Sequence, residues 1–307
     1  MSRRGGHPLT AALLVALTCG APAAGRAQGA TDLPADRLIL PPGPDTVLGV
    51  EGGEILGHFE VDFGLRAGGL GRPFLVRNTV TGDLVATPVD AALVVEAVAA
   101  VGLWNRLQLG IGRPVTVYQS GDRLRGVADD EHLKHGVGGD LRVHAKLLLH
   151  GGLVGGGRLT IALAPFLGIP TGNEHQFAGV GGVWGEVRAA LGWRTLGWLV
   201  VAYGGARLRP RTDLYGAREG PAGAAFGAAV AWEIPWRRFD HRVEVLVALD
   251  GEAAGAGRPA PVEARAGVCV RVWRGLSLAA AGGGGLDHDA GAPAWRALLE
   301  ARVEPGP

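Results

Sequence analysis

The stretch GGDLRVHAKLLLHGG, residues 138 to 152, concentrates the side chains that could do chemistry: Asp140, Arg142, His144, Lys146 and His150. A carboxylate, a guanidinium, an imidazole and an ammonium at alternate positions could pair into ionic ladders that plug a lumen, or could line a narrow aqueous path. Between them stand Leu141, Val143, Ala145, Leu147 and Leu149, all apolar. Period-two alternation puts the two files on opposite faces of a β-strand. What the ionic file does depends on which face is enclosed.

Other reactive residues converge less. His132 and His135 fall in a loop while His144 is mid-strand, so the spacing does not gather three metal ligands, and no metal is expected. Ser120 and Ser277 lie outside any Gly-x-Ser-x-Gly elbow. Each Gly-x-Gly lacks the third glycine of a dinucleotide fingerprint. Cys269 alternates with ionic residues and reads as a small filler rather than a reactive thiol. The expectation is no catalysis, no cofactor and no metal.

Composition narrows the class. A 47% hydrophobic content argues against disorder, and a net charge of +1 offers no basic excess for nucleic acid. Residues 1–27 carry Arg3 and Arg4, a short apolar run and small residues at Gly25 and Ala27, the pattern of a cleavable export signal. Residues 28–54, with ILPPGPD, read as an extended periplasmic leader rather than a folded unit.

The elements that position the ionic residues repeat from Ile55 to Val303. ILGHFEVDFGLR, GVWGEVRAALGW, RVEVLVAL, PVEARAGVCVRVW and WRALLEARV all alternate. With the less regular segments they make about twelve strands, each near the length a tilted strand needs to cross a bilayer. Connections alternate between short and long, as in outer-membrane barrels with periplasmic turns and external loops, and the TGD turn of FLVRNTVTGDLVATPV suggests a small hairpin in the first long one, near 67–88. Trp104, Trp193, Trp198, Trp236 and Trp273 sit at or beside short turns, where indole suits a membrane interface. These features favour an inside-out barrel with the apolar file toward lipid. The lumen-facing charges are then Glu60, Asp62, Asp140, Arg142, Lys146, Glu186, Arg188, Glu244, Glu263, Arg265, Arg271, Glu300 and Arg302, with Glu96 and Arg207. Enclosed charges need partners, so they should pair across strands, giving little or no conductance and weak ion selectivity. Small inward residues, among them Ala190, Ala225, Gly227, Ala229 and Ala231, leave room for long Arg and Glu side chains.

LPPGPDTVLGVEGGEILGHFEVDFGL, AAVGLWNRLQLGIGRPVTVYQSGD, GVGGDLRVHAKLLL and APFLGIPTGN, in that order, resemble the barrel half of OmpA-family outer-membrane proteins. The GDLRVHAKLLL and IPTGN pair is also similar to outer-membrane barrels of aromatic-degradation pathways. The resemblance covers roughly residues 38 to 303 and implies an outer-membrane barrel, often followed by a peptidoglycan-binding domain. EARVEPGP ends the chain before such a domain and without a terminal aromatic residue, so cell-wall anchoring is not carried over.

The expectation is therefore an all-β protein: an antiparallel transmembrane β-barrel of about twelve strands over residues 55–303, with a tail at 304–307. Its expected role is a structural barrel or passive narrow pore, monomeric, meeting outer-membrane lipid and the barrel-assembly machinery. A substrate-specific channel for small, apolar or aromatic solutes is the alternative. A secreted soluble β-protein that binds a partner is the third.

Overall fold

In the computed structural model the alternating segments pair as twelve long antiparallel strands. They are β1 (Val61–Arg77), β2 (Leu84–Leu103), β3 (Leu107–Ser120), β4 (Leu141–Val154), β5 (Gly157–Ile169) and β6 (Trp184–Thr195). The second half comprises β7 (Trp198–Leu208), β8 (Ala222–Ile234), β9 (Arg242–Ala253), β10 (Val262–Trp273), β11 (Leu276–Gly285) and β12 (Trp295–Val303). The structure describes residues 33–77, 81, 83–122, 132–210, 212–214, 217–219, 221–234, 242–253, 260–273, 275–287 and 291–304. The expected export signal and Trp236 lie outside them.

Each strand pairs with its sequence neighbours, and β12 returns to β1, with Val303 opposite Phe63 and Trp295 opposite Gly71. Closure removes the free edge of an open sheet. Short turns have local causes. Trp104 and Asn105 both adopt positive φ, and the Arg106 N–H donates to the Leu103 carbonyl at 3.1 Å. Gly155 and Gly156, at φ 59° and 80°, make the matching turn between β4 and β5. Two positive-φ residues suit the right-handed twist of a hairpin.

Along β4, Arg142, His144 and Lys146 are buried inside while Val143, Leu147 and Leu149 are exposed outside. Phe63, Leu65, Leu109, Ile111, Leu163, Leu191 and Leu299 continue that apolar outer face. The ionic face is therefore the enclosed one.

Two expectations change and one is extended. The strand expected from Ile55 begins at Val61. The hairpin expected around the TGD turn is present, and its arms are the ends of β1 and β2 themselves, paired past three register shifts between Gly71 and Arg77. His150 follows a bulge between Leu148 and His150 that breaks the alternation, and it is exposed.

Candidate functional site: the lumen and the segment that fills it

Residues 33–54, expected as a periplasmic leader, run through the barrel instead. Leu33 and Ala35 pack with Leu70, Phe74, Val89 and Phe177 at the long-loop end. Gly57 lies at the opposite end, where the Phe59 N–H donates to the Gly102 carbonyl at 2.8 Å. The local sequence explains the path. Pro41, Pro42 and Pro44 hold the backbone extended and leave carbonyls to be satisfied from the wall. Gln108 Nε2 donates to the Pro42 carbonyl at 2.9 Å, and Arg302 donates to the carbonyls of Pro41 and Gly43. Gly43, at φ 100°, gives its N–H to Asp62 at 2.7 Å; a Cβ there would fall 2.5 Å from the Gln108 amide.

Beyond Asp45 the segment turns back as a small hairpin, Thr46–Val47 against Val50–Glu51. Leu48 and Gly49 both take positive φ at its tip, 49° and 91°. Val47, Leu48 and Val50 fill a hollow lined by Ala190, Val201, Ala225, Ala229, Ala231 and Ala248. The room left by these small residues thus holds the hairpin rather than long Arg and Glu side chains. Close approach continues at Gly53, where a Cβ would fall 2.5 Å from the Thr160 carbonyl oxygen.

Ion pairs fix the segment along its length. Asp36 accepts from Arg66 at 3.0 Å and from Arg296 at 2.8 Å. Arg66 also meets Glu96 at 2.8 Å, and Arg296 donates to Glu263 at 2.7 and 3.0 Å. The Leu40 N–H donates to Glu96 at 3.2 Å, and Arg142 pairs with the same carboxylate. Asp45 pairs with Arg194. Glu51, 0% exposed, is the centre of the set: His144 Nε2 lies at 2.9 Å, Lys146 Nζ at 3.0 Å and Arg188 Nη1 at 3.6 Å. Lys146, also 0% exposed, donates to the Glu54 carbonyl at 3.2 Å as well. Enclosed charges persist only when paired and hydrogen-bonded in this way.

A wall ladder surrounds these ties. Glu186 takes Arg188 and Arg207, Arg207 continues to Glu252, and Arg265 joins Asp250 to Glu263. The Arg188 guanidinium lies between the rings of Phe166 and Tyr203, 4.5 and 4.3 Å from their centroids. Stacking and pairing together suit a weakly hydrated guanidinium.

The charges singled out in the sequence separate into groups. Asp62, Arg142, Lys146, Glu186, Arg188, Glu263, Arg265 and Arg302 are buried inside. Asp140 is buried but accepts the backbone N–H groups of Gly172 and Val180, so it holds a loop. Glu244, Arg271 and Glu300 border an open recess beside the hairpin, with Cys269. Glu60 is a correction. It is exposed in the corner before β1, accepting the Gly57 N–H at 2.6 Å, because the chain reverses at 57–60. Among the tryptophans, Trp104, Trp198 and Trp273 are exposed and Trp193 half-buried, all at the short-turn end. Trp198 stacks on Trp232 at 5.8 Å.

Asp36, Asp45, Glu51, Arg66, Gln108 and Arg296 were missed as site residues. The available signal was an apolar content in LILPP and TVLGV too high for a solvated leader.

No protein-family model and no curated protein sequence matches the chain. The OmpA-family likeness therefore stays at the level of the quoted motifs. Among solved structures, the chain is similar to the COG4313 outer membrane channel from Pseudomonas putida F1, at 18% identity and TM-score 0.60 over 82% of this chain and 97% of that one. It also aligns with the NanC porin at 9% identity, TM-score 0.49, over 80% and 100%, and with the CymD monoaromatic hydrocarbon channel at 9%, TM-score 0.44, over 88% and 98%. The fold is a closed twelve-stranded antiparallel β-barrel, similar to that of outer-membrane barrels.

Proposed function

We propose that this protein is an outer-membrane channel for small solutes, held closed at rest by residues 33–57, and that the solutes it favours are anionic. The observation that carries the reading is Glu51, enclosed among His144, Lys146 and Arg188. The segment brings Asp36, Asp45, Glu51 and Glu54 against Arg37 alone, a net charge of −3. When it leaves, Arg66, Lys146, Arg188, Arg194 and Arg296 each lose a carboxylate, and the vacated path becomes positive. A row of cations in a narrow, low-dielectric passage favours anions. A passive, permanently open pore fits a filled lumen poorly, and a route for wholly apolar solutes fits an ionic wall poorly.

In this reading the apolar outer face meets lipid, the tryptophans at the short turns mark the periplasmic interface, and the barrel-assembly machinery inserts a monomer. The test is the reversal potential of Glu51→Gln protein across a potassium chloride gradient in a planar bilayer. Anion preference supports the proposal, and cation preference overturns it. A second reading, a structural barrel that passes nothing, is favoured by the number of ties. It predicts no current from any segment variant.

A further inference from the structure

One charge on the outside of the barrel is not accounted for by the lumen. On β3 the outward file reads Leu109, Ile111, Arg113, with Val117 and Tyr118 exposed above. Arg113 stands roughly 15 Å above Leu107 along the axis, taking about 2.5 Å of rise per tilted residue, in an apolar band about 25 Å tall. That places it toward the long-loop, outer side. A guanidinium on a lipid-facing file is unfavourable unless it meets a counter-charge or reaches the headgroups. Arg113 Nε donates to the Gly139 carbonyl at 3.4 Å, and among the described residues no carboxylate pairs with it.

The wall is interrupted at the same place. The regular β3–β4 ladder runs from Leu107 opposite Leu147 to Gly112 opposite Arg142 and stops there. It resumes only as Val115 and Thr116 against Gly138 and Val137. Pro114 has no N–H to give, and its carbonyl accepts from Gly139 at 2.8 Å. The resulting notch is lined by Arg113, Lys134, His135, Thr171, Asn173 and His175, with Glu174 the one acid among the described residues of its lining. Its parts are held in place. The Lys134 N–H donates to buried Gln176 at 2.7 Å, the His135 ring stacks on Tyr118 at 5.0 Å, and Glu174 lies 3.6 Å from His175. Gly138 leaves the space that the guanidinium occupies, since a Cβ there would fall 2.8 Å from Arg113 Nη2.

We propose that this notch binds the phosphate of a phosphorylated, multiply acylated glycolipid of the outer leaflet. Arginine, lysine and ring N–H donors around one notch suit a group with several strong acceptor oxygens. Exposed Leu109, Ile111, Val143 and Leu147 below it offer the surface that acyl chains need, which a free phosphate would not use. The proposal rests on the outer-membrane reading above.

The test uses the full chain refolded in detergent micelles, with heat-modifiable migration as the fold check and native mass spectrometry to count bound lipid. The probes are bisphosphorylated lipid A, the same lipid without phosphates, and inorganic pyrophosphate. The folded protein should retain the bisphosphorylated lipid, and Arg113→Leu with Lys134→Ala should weaken it about tenfold or more. Gly138→Ala, which displaces the guanidinium without removing a charge, should weaken it too. The phosphate-free lipid should bind no better than the double variant, and pyrophosphate should not compete. Equal binding by wild type and double variant, no binding by folded wild type, or displacement by pyrophosphate would each overturn the assignment. Recovery of the protein as a soluble periplasmic species would instead overturn the membrane reading beneath it.

Discussion

Glu51→Gln tests the ionic lock most sharply. Glutamine keeps the shape and one acceptor oxygen but removes the charge that neutralises Lys146 and that the His144 ring hydrogen-bonds. Breaking a buried ion pair by removing one partner costs about 3–5 kcal/mol. Here the loss is partly offset, because Arg188 keeps Glu186 at 2.5 Å and Lys146 keeps the Glu54 carbonyl at 3.2 Å. That leaves about 2–3 kcal/mol of segment docking, or roughly a 30- to 150-fold rise in the undocked population. The assay is thiol modification of Val50→Cys in a Cys269→Ser background, since Val50 is enclosed until the segment leaves. Glu54→Gln is the control. Its partner Arg158 has a side chain 54% exposed, so the rate should rise less than about fivefold. Equal rates for the two variants would refute the reasoning.

Asp36→Asn should loosen the outer end of the segment by about 1–2 kcal/mol, less than Glu51→Gln, because Arg66 and Arg296 retain Glu96 and Glu263; the same thiol assay reads it. Gly53→Ala should unseat the segment, since the new methyl meets the Thr160 backbone rather than a side chain that can move; an unchanged rate would contradict that contact. Leu147→Arg places a guanidinium on the lipid face and should cost about 2–4 kcal/mol near the midplane in refolding titrations, with Lys146→Ala disturbing the barrel less. The mature protein should fractionate with outer membranes and migrate in a heat-modifiable way; soluble periplasmic recovery would contradict this.

The barrel was legible because its information is local. Every crossing strand must alternate, so Leu141 to Leu149 reveals its two faces without knowledge of any neighbour. Local reading also explains the errors. His58 and Glu60 alternate with Phe59 and Val61 through a chain reversal, so period two alone extended β1 backward to include Glu60. The TGD turn revealed a hairpin near 67–88, but not that its arms are the ends of β1 and β2, because they stay paired through bulges, which the pattern of a single strand does not encode. The lumen segment was hidden for a different reason. Asp36 finds Arg296 260 residues away, and Glu51 finds His144 93 residues away, so neither partner lies within any window of pattern. What was visible was the complement on each side: apolar residues in a leader that should be solvated, and a run of small inward residues on β8, Ala225 to Ala231, with Ala190 on β6. Joining the two requires the closed barrel.

The most direct measurement is the single-channel conductance of the refolded full chain in a planar bilayer, beside a variant lacking residues 33–54. If the segment is the closure, the full chain gives little or no current, and the deletion gives discrete, larger, anion-preferring steps. Large steady currents from the full chain, or a deletion variant that inserts and yet conducts no better, would contradict the account.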